Sequence, residues 1–171
     1  NLGVALAETK KYSDALQNYN NAINLKNNYI EAYLNRGISF NKLKKYPEAL
    51  NDLNLVIKYQ PKNIKAYNNL GNIFKNLKKY NEAIEYYDKA IYLNQNFLEA
   101  ISNKADALVS LKKFDQALIE LEKIKKQNPD FLGLDKKIIS YKMSIFDWNN
   151  FNKITKSLRN KIIKQNNSRP F

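Results

Sequence analysis

The feature that most constrains the fold of this chain is an internal repeat with a period of 34 residues. Small residues recur at this spacing, and so do aromatic residues and alanines. The small-residue column is Gly3, Gly37, Gly71 and Ala105, the aromatic column is Tyr12, Tyr46, Tyr80 and Phe114, and the alanine column is Ala15, Ala49, Ala83 and Ala117. Because three columns agree on one period, the sequence indicates stacked copies of a single supersecondary unit.

Two amphipathic segments in each unit indicate a pair of helices. In residues 64–97 the first segment places Tyr67, Leu70, Phe74 and Leu77 three or four residues apart, which is one helical stripe. We predict helices at 1–9, 12–25, 30–43, 46–59, 64–77, 80–93, 98–111 and 114–126. Beyond the repeats, one helix is predicted from Leu134, Ile138, Tyr141 and Ile145, and another from Phe151, Ile154, Leu158 and Ile162.

With this period and this pattern of small and large residues, the chain resembles the tetratricopeptide repeat family over residues 1 to about 131. The resemblance implies an all-α fold, a right-handed superhelix of antiparallel helix pairs with the first helix of each unit on the inner, concave wall. We predict a truncated first repeat at 1–29, repeats at 30–63, 64–97 and 98–131, and a degenerate helical cap or linker at 132–171. The truncated repeat exposes apolar surface, so we expect another repeat to precede it.

Composition excludes several kinds of catalytic site within this chain. Cysteine and histidine are both absent, which excludes disulfides, Cys/His zinc sites, a cysteine nucleophile and any histidine base. Only four glycines are present, and no phosphate-binding loop or cluster of metal ligands is found. The sequence therefore predicts no catalytic residues and no cofactor.

The chain is strongly basic, with a net charge of +13. Lysine pairs recur in the turn between the two helices of each unit, at 10–11, 44–45, 78–79 and 112–113. Such a row could attract an acidic protein, an RNA backbone or a membrane surface, but exposed turns in a lysine-rich chain are the simpler interpretation, and we expect no membrane partner. Because 26 of the 29 basic residues are Lys and the aromatic columns are needed for packing, nucleic acid is the weaker hypothesis. No apolar run reaches the roughly 18 residues that cross a membrane, and we expect a cytoplasmic protein.

An asparagine column points to the function. Asn1, Asn35, Asn69 and Asn103 lie two residues before the small-residue column, on predicted first helices. A carboxamide both donates and accepts hydrogen bonds, so a ladder of them could pair with the backbone of an extended peptide. Asn72 and Asp106 complete the candidate peptide-binding residues. The alternative is that these side chains are solvated or bond one another along the ladder.

Two comparisons with known uses of this fold refine the hypothesis. A clamp for a peptide's terminal carboxylate would need basic residues where Leu34, Ile38, Asn68 and Asn72 stand, so this use is disfavoured. The inner asparagine row resembles that of O-linked N-acetylglucosamine transferases. The segment from Ile145 through Asp147 and Trp148 to Phe171 resembles the connection to the catalytic domain in these and SPINDLY-like glycosyltransferases.

The sequence thus predicts a scaffold that binds proteins or extended peptides. We expect it to be the substrate-recognition arm of a larger protein. The alternatives are a fragment of a protein O-GlcNAc transferase, whose catalytic domain would follow Phe171, and a basic RNA-binding scaffold. For the tail, a purely structural alternative is that Trp148 and Phe151 cover the apolar end of the last repeat, with Asp147 capping the next helix.

Overall fold

The computed structural model describes residues 2–129 and 133–145, and within these ranges the chain forms nine α-helices and no strands. Helices α1, α3, α5 and α7, here called the first helices, span Leu2–Glu8, Ile30–Lys42, Ile64–Asn76 and Leu98–Ser110. The second helices α2, α4, α6 and α8 span Tyr12–Leu25, Tyr46–Tyr59, Tyr80–Leu93 and Phe114–Gln127, and α9 spans Leu134–Ile145. The predicted all-α fold is confirmed. The second predicted tail helix and the Trp148 segment lie outside the described residues.

Each first helix packs on the second helix of its own repeat through the small-residue column. Gly71 faces Tyr87, a fully buried side chain, and a methyl group added to Gly71 would lie 2.5 Å from the Tyr87 ring. The same position in the last repeat is Ala105, which is fully buried together with Leu121. The two helices can approach this closely only because the first one carries almost no side chain at the crossing.

The turns inside the repeats end each first helix in the same way. The backbone N–H of Lys44 donates to Asn41 and that of Lys45 to Phe40, at 3.0 and 2.9 Å, and Lys44 adopts φ 60°. This two-bond closure requires a left-handed residue, which is most often glycine. The equivalent lysines Lys10, Lys78 and Lys112 have φ of 62°, 61° and 59°. The predicted ends at Leu43, Leu77 and Leu111 were one residue too long, because these leucines cap the helices.

The stack curves toward the first helices. Every helix packs on its neighbours in the chain, and α5 also contacts both α3 and α7, whereas contacts between consecutive second helices are sparser. The hydrogen bonds that run directly between non-consecutive helices of the repeats likewise join first helices, as in Asn76 to Asn41 and Asn103 to Asn68. A stack whose first helices are closer together than its second helices has the first helices on the inside of the curve.

The repeats are of two alternating kinds, which the columns of small residues, aromatic residues and alanines do not reveal. Arg36 and Lys104 occupy a position that is Leu70 in the repeat between them. Arg36 forms a two-pronged ion pair with Asp52 on α4, with both N···O distances 2.7 Å. Lys104 contacts Glu120 at the equivalent place on α8 at 2.8 Å. At this position, cations that pair with the second helix of their own repeat thus alternate with leucines, Leu2 and Leu70.

Candidate functional site

The predicted asparagine column lies on the inner side of the stack. Asn35, Asn69 and Asn103 occupy equivalent places on α3, α5 and α7, and all three are half-buried. The side of these helices that carries them, together with Asn72, Lys75 and Asp106 one or two turns further along, is called the inner face below. Asn1 lies outside the described residues.

The three asparagines have different hydrogen-bond partners. The Nδ2 of Asn103 donates to Oδ1 of Asn68 on the preceding first helix at 3.1 Å. The Nδ2 of Asn69 turns back to the backbone carbonyl of Lys65 in its own helix at 2.8 Å. The Asn35 side chain makes no hydrogen bond and borders a cavity of about 140 Å³ between α1, α2 and α3. The column is therefore spatially regular but chemically uneven.

The unevenness follows from the residue that each member meets in the preceding repeat. Asn103 meets Asn68, which can accept its bond, whereas the residue equivalent to Asn68 in the previous repeat is Leu34, which cannot. Asn69 accordingly bonds its own helix. Lys137 on α9 stands 34 residues after Asn103 and donates to Ser102, the equivalent of Asn68, at 2.7 Å. Asn103 is thus bonded to the preceding repeat, although to Asn68 and not to another member of the column, and Lys137 extends the same geometry to α9.

A second row of amides lies on the same helices. The Oδ1 of Asn72 accepts from the Tyr87 hydroxyl at 2.8 Å, so its Nδ2 points away from that bond and has no acceptor. No fully buried polar side-chain atom in the described ranges lacks a partner, so this Nδ2 is reached by solvent. Further along, Asn76 donates to Asn41 across the repeats at 2.9 Å. Asn35 and the Nδ2 of Asn72 are thus the uncommitted amide groups among the predicted site residues.

Asp106 is committed to holding α9. Its two oxygens accept from the Lys137 ammonium at 2.8 and 2.9 Å, and Oδ1 also accepts from the Tyr141 hydroxyl. Burial, and then the Asp106 carboxylate, raise the pKa of Tyr141 above its ordinary value. Lys137 and Tyr141 of the same chain thus occupy the carboxylate that the sequence analysis assigned to peptide binding.

Lys75 is a feature of the inner face that the sequence did not single out. Four basic side chains are half-buried in the described part of the chain, namely Arg36, Lys75, Lys104 and Lys137. Lys75 lacks a carboxylate partner, and its Nζ lies 3.5 Å from Oδ1 of Asn103. Burial lowers the pKa of Lys75, and the charges of Lys137 and Lys42 lower it further against the opposing effect of Asp106 and Glu99.

Two signals in the sequence could have indicated Lys137 and Asn68 as neighbours of the asparagine column. Lys137 continues the asparagine column by one more period, and Asn68 precedes Asn69 directly. Lys75 carries no such signal, because it belongs to no column and the chain is rich in lysine. What distinguishes Lys75 is the lack of a carboxylate partner, and this can be recognised only when the partners of the other half-buried cations are known.

Neither a metal site nor a membrane span is found in the part of the chain that the structure describes. No group of three or more potential metal-ligating acidic residues occurs there. None of the helices described has the length and apolarity needed to cross a bilayer.

Comparison with known proteins identifies the repeats. Two models of the tetratricopeptide repeat match residues 64–97 and 98–131. A further TPR repeat model matches residues 3–44 and 39–78, so the matches together extend from residue 3 to residue 131. A search of curated protein sequences found no match.

Solved structures of tetratricopeptide proteins share the fold. MamA from Desulfovibrio magneticus RS-1 (residues 41 to the end) is 23% identical with a TM-score of 0.68, covering 76% of this chain and 73% of that chain. TTC0263 from Thermus thermophilus is 17% identical with a TM-score of 0.75, covering 85% and 80%. The first TPR of Spaghetti (RPAP3), bound to the HSP90 peptide SRMEEVD, is 20% identical with a TM-score of 0.64, covering 69% and 94%.

Proposed function

Because the chain belongs to the tetratricopeptide repeat family, we propose that it is a scaffold that binds an extended segment of another protein along the inner face. The binding residues in this proposal are Asn35, Asn69, Asn72 and Asn103, with Asp106 acting through its hold on α9.

The uncommitted amides of the inner face are the observation that carries the proposal. The Asn35 side chain makes no hydrogen bond, and the two N–H groups on Nδ2 of Asn72 have no acceptor within the described residues. The bond of Asn69 is to its own helix, so this side chain can turn to a ligand without breaking a contact between repeats. Each residue of an extended backbone offers one donor and one acceptor, and carboxamides can pair with both whatever the peptide sequence.

A related structure supports a peptide as the ligand. The RPAP3 domain was solved with an HSP90 peptide bound to it, which establishes that a domain of this fold can accept one. In the present chain Leu34, Ile38, Asn68 and Asn72 replace the basic residues of a terminal-carboxylate clamp. We therefore propose contacts to the backbone of an internal peptide segment rather than capture of a chain end.

Replacement of both Asn35 and Asn69 by alanine tests the proposal. The loss of two amide-to-backbone bonds is expected to weaken peptide binding roughly tenfold, since each bond contributes about 0.5 to 1.5 kcal/mol. Asn103 is kept, because its removal would also break the contact with Asn68. The measurement is isothermal titration of the purified chain with the tightest peptide from a random-peptide display library.

The matched control is the double variant Asn51→Ala and Asn54→Ala, which removes two exposed amides from the second helix α4. Both double variants should retain the helical circular dichroism of the wild type. Equal affinity of the wild type and the Asn35/Asn69 variant, or equal weakening by the α4 control, would contradict the proposal.

The two other functions predicted from the sequence remain predictions. The resemblance to O-GlcNAc transferases rests on the inner asparagine row and on the segment from Ile145 to Phe171, of which residues 146–171 lie outside the described ranges. A nucleotide-sugar-binding domain encoded after Phe171 would support it, and further repeats there would oppose it. RNA binding through the turn lysines requires an affinity that falls steeply with salt, which a titration at two salt concentrations measures.

A further inference from the structure

We propose that Lys75 binds the side-chain carboxylate of an Asp or Glu residue in the extended segment that lies on the inner face. This inference rests on the proposed function and adds a chemical requirement to it. The ligand must carry an acidic residue at the point where it crosses α5.

Each of the other half-buried cations in the described ranges forms an ion pair with a carboxylate of the same chain. Arg36 is paired with Asp52 at 2.7 Å, Lys104 with Asp88 and Glu120 at 2.8 Å, and Lys137 with Asp106 at 2.8 Å. Lys75 is as enclosed as these, but its nearest polar atom is the Asn103 carboxamide oxygen at 3.5 Å. A desolvated ammonium with only a long bond to a neutral oxygen is an incomplete ion pair.

The two carboxylates that act on the pKa of Lys75, Asp106 and Glu99, already accept hydrogen bonds from other residues. Asp106 accepts three hydrogen bonds from Lys137 and Tyr141, and Glu99 accepts from Asn68. Lys42 and Lys137 add positive charge around Lys75, which is why they lower its pKa. The charge complementary to this place on the inner face is therefore negative and must come from outside the described residues.

Asn72 supplies a second donor for the same anion. It precedes Lys75 by three residues in α5, which places the two side chains on one face of the helix. The Tyr87 hydroxyl donates to Oδ1 of Asn72 and so fixes the amide with its Nδ2 directed away from Tyr87. A carboxylate accepts through two oxygens, so one can meet the ammonium and the other the amide.

A carboxylate fits this place better than a phosphate group. The doubly charged phosphate is typically bound by clusters of arginines or by two-pronged guanidinium contacts. The single arginine in the described ranges is Arg36, and it is occupied by Asp52 and Asn20. One ammonium and one amide match the charge of one carboxylate.

The test combines a change in the chain with a change in the peptide. Random-peptide display on the intact chain is expected to select ligands with Asp or Glu at one fixed position. Lys75→Gln should weaken binding of the selected peptide about tenfold, because a charge-assisted bond is replaced by a neutral one. The same substitution should leave the affinity unchanged for the peptide in which the acidic residue is replaced by its amide.

Lys65→Gln is the matched control, since Lys65 is an exposed lysine on α5 and its loss changes the net charge equally. We expect it to change affinity less than about twofold. Lys75→Gln should keep the midpoint of urea unfolding at or above that of the wild type, because it removes an incompletely paired charge. A fall in the midpoint would assign Lys75 a structural role and overturn the inference.

The remaining outcomes separate this inference from the proposed function. Selected peptides without a fixed acidic position, or equal weakening of the acidic and amide peptides by Lys75→Gln, would overturn the carboxylate site alone. A phosphoserine at the acidic position that binds about tenfold more tightly would assign the site to phosphate and overturn the carboxylate assignment. Failure to select any peptide would overturn the proposed function and this inference with it.

Discussion

Substitution of Asp52 by alanine is expected to lower the free energy of unfolding by about 3 kcal/mol, because it leaves the charge of Arg36 unpaired in a largely desolvated position. The side chains of Arg36 and Asp52 are only 19% and 7% exposed. The hydrogen bonds that Arg36 donates to Asp52, more than any other contact, raise the pKa of Arg36 above its usual value. Urea unfolding followed by circular dichroism measures the effect.

The chain itself contains the template for a rescue of this variant. The first repeat has Leu2 and Asn18 at the places that Arg36 and Asp52 occupy in the second. The double variant Arg36→Leu and Asp52→Asn should therefore regain most of the stability that Asp52→Ala loses, since an apolar group replaces the unpaired cation. Glu85→Ala removes an exposed carboxylate from α6 and should stay within about 0.5 kcal/mol of the wild type. A small effect of Asp52→Ala, comparable to this control, would show that the ion pair does not stabilise the repeat.

Substitution of Gly71 by alanine is expected to lower the free energy of unfolding by about 2 kcal/mol. The new methyl group would lie 2.5 Å from the ring of the fully buried Tyr87, which has little freedom to move. The gain in helix propensity, about 1 kcal/mol, only partly offsets this clash. For Gly37→Ala the nearest atom is a leucine carbon at 3.0 Å, so the two effects should cancel to within about 1 kcal/mol.

A double variant identifies the cause of the Gly71→Ala effect. The last repeat already combines Ala105 with Leu121, so Gly71→Ala together with Tyr87→Leu reproduces a pair that packs in this chain. The double variant should be more stable than the sum of the single changes predicts, by at least about 1 kcal/mol. Additive effects of the two changes would contradict the explanation based on contact between these residues.

The fold could be predicted from the sequence because it depends on positions that repeat. The columns that contain Gly71, Ala83 and Tyr80 recur in every repeat. If the repeat were aligned one residue out of step, none of these residues would lie at a contact between helices. The helix ends were predicted less well, since Leu77 and its equivalents continue the apolar stripe yet cap the helix. Stripe periodicity does not report the left-handed residue that follows.

The site could be predicted only in outline, because its chemistry depends on contacts between different columns. The sequence placed Asn69 and Asn103 in one row, but their bonds are set by Leu34 and Asn68 in the neighbouring column. The state of Lys75 depends on which carboxylates other cations have already taken. Such information exists only after the helices are packed.

The most direct test of the account follows the side-chain amide resonances of the asparagines by NMR during titration with a selected peptide. If an extended segment binds the inner face, the signals of Asn35, Asn69 and Asn72 should move together and saturate at one dissociation constant. Those of Asn51 and Asn54 on α4 should stay in place. Movement of the α4 signals while the inner-face signals remain fixed would contradict the account.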